Sequence, residues 1–315
     1  MDSTGTASFG RRAPSADTVV GTLVRHAAPP HRIVLLLPTD TGRSRASMDR
    51  HLARVAAMGM ALPAGLFDGP AQCRVATPDG HGADSLLTGL KAAADTEARS
   101  LIVYVTGQLA LAGDQQLYLT TPGLPVRLAH LLGVRWEWIT HAITRSAAPT
   151  RLLMVDLEAD QRAWPLLTGS SQPGNDRPAA DQRLAADGAS LWGQVRPIPT
   201  RRGRGQAAET SWAHWVAARL RDGVPGAPAV LTPETLHHST LPEPRAATAG
   251  PSVLSLARFL PGSGAVQLRN RALGRGVLSV DVLPPALRDA LRRRAEPVGG
   301  TATEPADDEP AGESA

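Results

Sequence analysis

Three uninterrupted apolar runs constrain this chain more than any other feature: Ile33-Val34-Leu35-Leu36-Leu37, Leu101-Ile102-Val103-Tyr104-Val105 and Leu152-Leu153-Met154-Val155. A strand with one wet face alternates apolar and polar residues. A continuous run needs cover on both faces, which is the situation in parallel sheets. Segments of helical period separate the runs. One helix is expected from about Ser47, with Met48, Leu52, Val55 and Met58 at helical spacing. A second starts near Asp84, a good N-cap, and carries Leu86, Leu87, Leu90 and Ala94. A third, over about 135–145, places Trp136, Ile139 and Ile143 on one face. Leu117-Tyr118-Leu119 and Leu191–Val195 add short strands, and a helix from about Thr210 turns Trp212, Trp215, Val216 and Leu220 inward. This alternation predicts an α/β fold, a mainly parallel sheet with helices on both faces. Ligand sites in such sheets lie beyond the carboxyl ends of the strands. Gln108 and the stretch Asp156–Asp160 occupy that edge.

The remaining segments divide the chain. Residues 1–24 are small, polar and turn-rich, the composition of a disordered N-terminal segment. The α/β domain is expected over 25–241, with a long Gly/Ser/Pro loop at 168–188. A Pro/Ala/Thr/Gly linker follows at 242–253. A small α+β extension over 254–295 is read from strand patterns at 264–268 and 276–282 and a helix after Pro284-Pro285 carrying Leu287 and Leu291. The tail 296–315 holds six acids and no base. Without it, 33 basic residues face 23 acidic ones, a body charge of about +10. All but Lys91 of those bases are arginine, and they are scattered along the chain. A solvated basic surface accounts for that pattern, so a nucleic-acid partner is possible but not favoured.

Several function classes drop out. No apolar stretch approaches the ~20 residues a membrane helix needs, and the N-terminus lacks the pattern of a signal peptide. These point to a cytoplasmic protein without membrane association. The single Cys73 excludes an internal disulfide and any multi-cysteine metal site; its expected role is that of a small buried hydrophobe. No His-x-x-x-His pair supports zinc, and no Gly-x-x-x-x-Gly-Lys-Ser/Thr supports a phosphate-binding loop. Gly203-Arg204-Gly205-Gln206-Ala207-Ala208 mimics a dinucleotide fingerprint, but no acid closes a following strand. His81 precedes a helix, His130, His141 and His214 fall on helices, and His237-His238 read as surface residues. No cofactor is expected. Trp136, Trp138, Trp212 and Trp215 read as core anchors.

Two strand ends remain: Tyr104-Val105-Thr106-Gly107-Gln108 and Asp156-Leu157-Glu158. Their wording and order over roughly residues 30–240 resemble caspase-like domains. There a strand ending in Tyr-x-x-Gly-His supplies the general base and one ending in Asp-x-Cys supplies the thiol. The resemblance extends to Leu117-Tyr118-Leu119 and to Gly205-Gln206-Ala207-Ala208-Glu209 before a Trp-containing helix, both similar to segments of bacterial members. It implies a caspase-like sheet in which the His position reads Gln108 and the Cys position reads Glu158. A cysteine peptidase needs a thiolate and a base within hydrogen-bonding reach. The implied protein is therefore a catalytically inactive scaffold, decoy or regulatory module, set by the resemblance in a bacterial defence or signalling system, with a protein or peptide partner. Asp156 and the loop arginines Arg201, Arg202 and Arg204 are candidate binding residues, suited to an acidic peptide or phosphate.

Two alternatives stay open. Asp156, Glu158 and Asp160 would share a face if the strand continued, and three carboxylates there suit a divalent ion and a metal-dependent hydrolase. An active caspase-like peptidase would need a dyad located elsewhere, built on Cys73. Neither the oligomeric state nor the partner's identity follows from the sequence.

Overall fold

The computed structural model describes residues 29–37, 45–76, 83–120, 124–169, 179–198, 211–239, 253–260 and 265–272. In chain order the elements are β1 (His31–Leu36), α1 (Arg45–Gly65), β2 (Ala71–Ala76), α2 (Ala83–Ala94), β3 (Ser100–Leu111), β4 (Leu117–Thr120), α3 (Ala129–Leu132), β5 (Val134–Arg135), α4 (Trp136–Thr144) and β6 (Thr150–Ala159). They continue with α5 (Ala163–Thr168), α6 (Ala180–Leu184), β7 (Ser190–Pro197), α7 (Trp212–Asp222), β8 (Val230–Leu231), α8 (Pro233–His238), β9 (Leu254–Arg258) and β10 (Leu268–Arg269).

The central sheet runs β2-β1-β3-β6-β7-β9, parallel except for β9. The three apolar runs are its β1, β3 and β6, as their lack of alternation requires. One face of these strands packs Val34, Leu36, Val103, Val105, Leu153 and Val155 against α2 and α4. The other packs Ile33, Leu35, Ile102, Tyr104 and Met154, together with Trp192 of β7, under α1 and α7. Close approach on this second side depends on small residues. A Cβ on Gly59 would lie 3.1 Å from the Leu35 side chain, and one on Gly65 would lie 3.1 Å from Leu220 of α7. Both faces are covered, so the α/β class holds with helices on each side.

Several expectations change. The helix from Ser47 is α1, and three of its expected inward residues hold: Val55 and Met58 are buried and Met48 packs against the core, while Leu52 is 45% exposed. The inward face also carries His51 and Arg54, at 0% and 3% exposure, paired polar groups that apolar spacing does not reveal. Strand β2 has no apolar run and was missed. It is the sheet edge, with Gln72, Cys73, Arg74 and Val75 all exposed, so Cys73 is not a buried hydrophobe. Asp84 lies within the first turn of α2 rather than capping it. Trp136 is buried, Trp138 is nearly half exposed beneath the Arg135 guanidinium, and Trp212 and Trp215 are half-buried. His237 is 8% exposed, not a surface residue, because its Nδ1 accepts from the indole of core Trp192 at 3.3 Å.

The stretch expected as a separate extension enters the main body. β9 pairs with β7 and buries Leu256, and β10 pairs with β8. The strand expected at 264–268 is reduced to Leu268–Arg269. Asn270, 4% exposed, holds this return in place. Its Oδ1 accepts from the amides of Val224 and Ala272, and its Nδ2 donates among the carbonyls of Val224, Ala227 and Pro228 at 2.9–3.0 Å. Arg271 donates to the carbonyl of Ala64, and Arg269 to that of Phe67, satisfying groups at the carboxyl end of α1. Part of the 168–188 loop is helical, as α5 and α6 show. The strand at 276–282, the helix after Pro285, the acidic tail, His81 and Arg201, Arg202 and Arg204 lie outside the described residues.

Candidate functional site at the carboxyl ends of the central strands

Strands β3 and β6 outrun their neighbour. The register with β1 stops at Leu36↔Val105, whereas β3 and β6 pair onward through Thr106↔Asp156 and Gln108↔Glu158. The two positions singled out in sequence are therefore direct cross-strand partners, on the face that carries Tyr104 and Met154. Gln108 is half-buried and Glu158 is 4% exposed.

The space over these strand ends is filled from three directions. Helix α1 supplies His51 and Arg54, β7 supplies Gln194 and Arg196, and α7 brings its N-terminal amides. Arg54 Nε lies 3.5 Å from Asp156 Oδ2, and its terminal nitrogen lies 3.3 Å from Glu158 Oε1. Arg196 reaches the same two carboxylates at 3.8 and 3.6 Å. Gln194 Nε2 donates to Asp156 Oδ1 at 3.2 Å. Two arginines thus balance two acids in a volume almost closed to water, the only condition under which such charges are tolerated inside a protein.

His51 completes the cluster. His51 Nδ1 is hydrogen-bonded to Thr106 Oγ1 at 2.7 Å and lies 3.3 Å from Arg54 Nη1, and the Thr106 hydroxyl donates to the Asp156 carbonyl at 3.0 Å. His51 Nε2 faces Glu158 Oε2 at 4.0 Å. Burial, reinforced by Arg54 and Arg50, lowers the His51 pKa to about 3, so the ring is neutral. Burial also raises the carboxyl pKa values of Asp156 and Glu158. Arg54 opposes both shifts; for Asp156 the Gln194 amide and the Ala213 amide at the start of α7 assist it.

The order Thr106–His51–Glu158 has the outline of a nucleophile, a base and an acid. Thr106 and His51 are both wholly buried, so no scissile group can reach the hydroxyl. The one thiol stands far from this site. Cys73 stands level with Ile33 and Ile102, six positions short of Gln108 along β3 and three strands from β6. That separation is roughly 20 Å along the strands and roughly 14 Å across them.

The carboxylate trio is not assembled. β6 ends at Ala159, and the amide of Asp160 donates to the Leu109 carbonyl. Its Oδ1 then accepts from the amides of Arg162 and Ala163 at 2.9 and 2.6 Å, fixing the turn into α5. Asp156 and Glu158 keep their shared face, but Arg54 and Arg196 occupy the positions a cation would take. Among the described residues no group of three or more His, Cys, Asp or Glu side chains is arranged to hold a metal. No helix among them is long and apolar enough to cross a membrane.

Sequence reasoning named Gln108, Asp156 and Glu158 and missed His51, Arg54, Thr106, Gln194 and Arg196. Arg54 carried one usable signal. It follows His51 by three positions and precedes Met58 by four, so an inward Met58 forces it toward the core, where an arginine is tolerated only when paired.

The class of protein is an α/β fold with a mostly parallel sheet and a filled site at its carboxyl edge. No protein-family model matches the chain, and no curated protein does. Among solved structures it is similar to the crystal structure of the Drosophila initiator caspase Dronc, with 9% identity over 70% of this chain and 77% of that one and a TM-score of 0.33. A likeness at that level does not define a fold. The architecture rests on strand order and register.

Proposed function

We propose that the chain is a caspase-like domain without peptidase chemistry, acting through binding as a scaffold or regulatory partner. One observation supports this most. At the paired strand ends, where the sequence resemblance expects a histidine and a cysteine, Gln108 and Glu158 stand side by side, and Glu158 is neutralised by two arginines. Such a cluster holds α1, β6 and β7 together and offers neither a nucleophile nor room for a scissile bond. The setting in bacterial defence or signalling rests on the sequence resemblance alone. The partner in this proposal is a protein or peptide with acidic residues, gripped by Arg201, Arg202 and Arg204, which come after β7 in the chain.

Incubation of the purified chain with Arg- and Asp-containing peptide libraries is expected to yield no cleavage. Cleavage lost in Cys73→Ala would overturn the proposal in favour of an active peptidase. Fluorescence anisotropy with an Asp/Glu-rich peptide should show salt-sensitive binding that weakens when the three arginines are replaced by alanine. Unchanged binding in that variant removes the loop from the proposal. The metal-hydrolase reading draws support only from the Asp156/Glu158 pair. A thermal-shift scan with Mg²⁺, Mn²⁺ and Ca²⁺ tests it, and stabilisation abolished in Glu158→Gln would revive it.

A further inference from the structure

Strand β2 ends the sheet without the devices that keep an edge from pairing. It holds six residues, Ala71–Ala76, with no proline, no lysine and one arginine. Among the described strands β1 is its one neighbour. The carbonyls of Pro70 and Ala76 accept from the amides of His31 and Leu37 at 2.8 and 3.1 Å. Backbone direction alternates along a strand, so Gln72 and Arg74 also face β1. Ala71, Cys73 and Val75 therefore turn their N–H and C=O groups outward. Helices α1 and α2 lie against β2, yet Gln72, Cys73, Arg74 and Val75 are all exposed. The edge is open along its backbone and at its rim on both faces.

We propose that β2 pairs antiparallel with β2 of a second copy, joining two sheets into one across a two-fold axis. Self-complementarity selects that occupant. An axis normal to the sheet keeps both α1 helices on one side, so residues directly opposite must share a face and the axis passes through a residue. Centred on Cys73, the register sets Ala71 opposite the second copy's Val75. Ala71, Cys73 and Val75 then each exchange both backbone bonds with their counterparts. Gln72 and Arg74 lie on the α2 face, level with Arg32 and Val34. There Gln72 stands opposite the second copy's Arg74 in the close position, with about 4.5 Å between Cα atoms. The Gln72 amide oxygen already accepts from Arg32 and has a second lone pair for that guanidinium. Centred on Arg74 instead, the register opposes two arginines and leaves Ala71 unpaired. Charge and backbone bonding both choose the first.

Apolar surface follows the same pairing. Val75 is level with Leu35 on the α1 face and is 50% exposed. Leu52 shares a stripe of α1 with Gly59, which stands over Leu35, and lies on the opposite flank from Gly65, which faces Leu220 of α7. Leu52, 45% exposed, is therefore on the β2 side of the helix. Joining the copies brings Leu52 and Val75 of both to the junction. A strand edge with two such pairs is a small interface, so the dimer is reversible and concentration-dependent.

Sedimentation velocity on the full chain tests the association, and a chain that stays monomeric through the micromolar range overturns it. Cys73 reports the register. It is the only cysteine of the chain, so a short bismaleimide captures a dimer only where two Cys73 side chains meet. A dimer that the reagent does not capture has formed elsewhere and also overturns the proposal. Val75→Pro removes an outward N–H and leaves the ladder to β1 intact. It should weaken association at least about tenfold, with the thermal midpoint of the monomer unchanged. Undiminished association in a folded Val75→Pro chain overturns the pairing. If that variant misfolds, the Gln72 position decides. Gln72→Glu should tighten the dimer several-fold at low salt, and Gln72→Arg should loosen it by a similar factor. Equal dissociation constants for these two variants and the wild type sink the register and the proposal with it.

Discussion

The two faces of β3 and β6 begin alike and end differently. Toward α2 and α4, Val105 and Leu109 of β3 and Val155, Leu157 and Ala159 of β6 remain apolar to the end of the sheet. Toward α1 and α7, Tyr104 and Met154 give way within two residues to Thr106, Gln108, Asp156 and Glu158. The backbone is the same, so the difference lies in what covers each face. An apolar face asks only for volume, whereas the polar one asks for a charge and a hydrogen-bond partner at every position. The first can be met by many side chains. The second binds α1, β6 and β7 into one specified arrangement, at the desolvation cost that buried ion pairs carry.

The sharpest way to break this contrast is to leave one charge alone. Arg54→Met strips both carboxylates of their nearest cation and should cost about 3–5 kcal/mol in chemical denaturation. Replacing Arg54, Asp156, Glu158 and Arg196 together by apolar residues should recover most of that loss. A quadruple variant as unstable as the single one would show that the cluster itself stabilises the fold. Next comes Gly193 of β7, where φ is +152° and a Cβ would stand 2.0 Å from the Val155 carbonyl oxygen. Gly193→Ala should cost about 3 kcal/mol and loosen both faces equally. Hydrogen exchange along β6 would register it.

The pH dependence should belong to the polar face alone. His51 has a folded pKa of about 3 against an unfolded value of 6.5. Between these values the unfolded chain binds a proton that the folded chain refuses, so stability falls as pH drops below 6.5, by up to about 1.4 kcal/mol per unit. Asp156 and Glu158 act with the opposite sign. Their raised folded values make stability fall as pH rises from the ordinary carboxylate range toward those values. The His51 slope spans pH 6.5 down to about 3. His51→Gln should flatten it whatever the variant's absolute stability, as urea titrations at successive pH values would reveal. A slope unchanged by the substitution would move the acid sensitivity to another group. The smallest effect is expected far from either face. Cys73→Ser on the exposed edge strand should change stability by no more than about 0.5 kcal/mol.

Legibility in the sequence followed burial. β1, β3 and β6 were readable because cover on both faces forces a continuous apolar run, and the α4 face was readable because Trp136, Ile139 and Ile143 are simply apolar. β2 was not, because the edge position leaves Gln72 to Val75 uncovered and removes the hydrophobic signature. Two inward positions of α1 were illegible for a related reason. His51 and Arg54 face inward, and a pattern search for apolar residues passes over polar groups whose partners lie 50 to 100 positions away. Asp160 would share the face of Asp156 and Glu158 only if the strand continued; β6 ends at Ala159, and the Asp160 side chain serves the turn into α5.

What the sequence determined by itself was the α/β alternation and the polar ends of two neighbouring strands, since local periodicity and residue type depend on near neighbours only. Tertiary structure alone decided that Gln108 and Glu158 are register partners. It also decided that Arg54 and Arg196 converge on Asp156 and Glu158, and that Cys73 stands at the opposite edge. Buried charges are stable only as balanced sets, and the members of this set come from α1, β6 and β7, so no single stretch of the chain contains the information that pairs them.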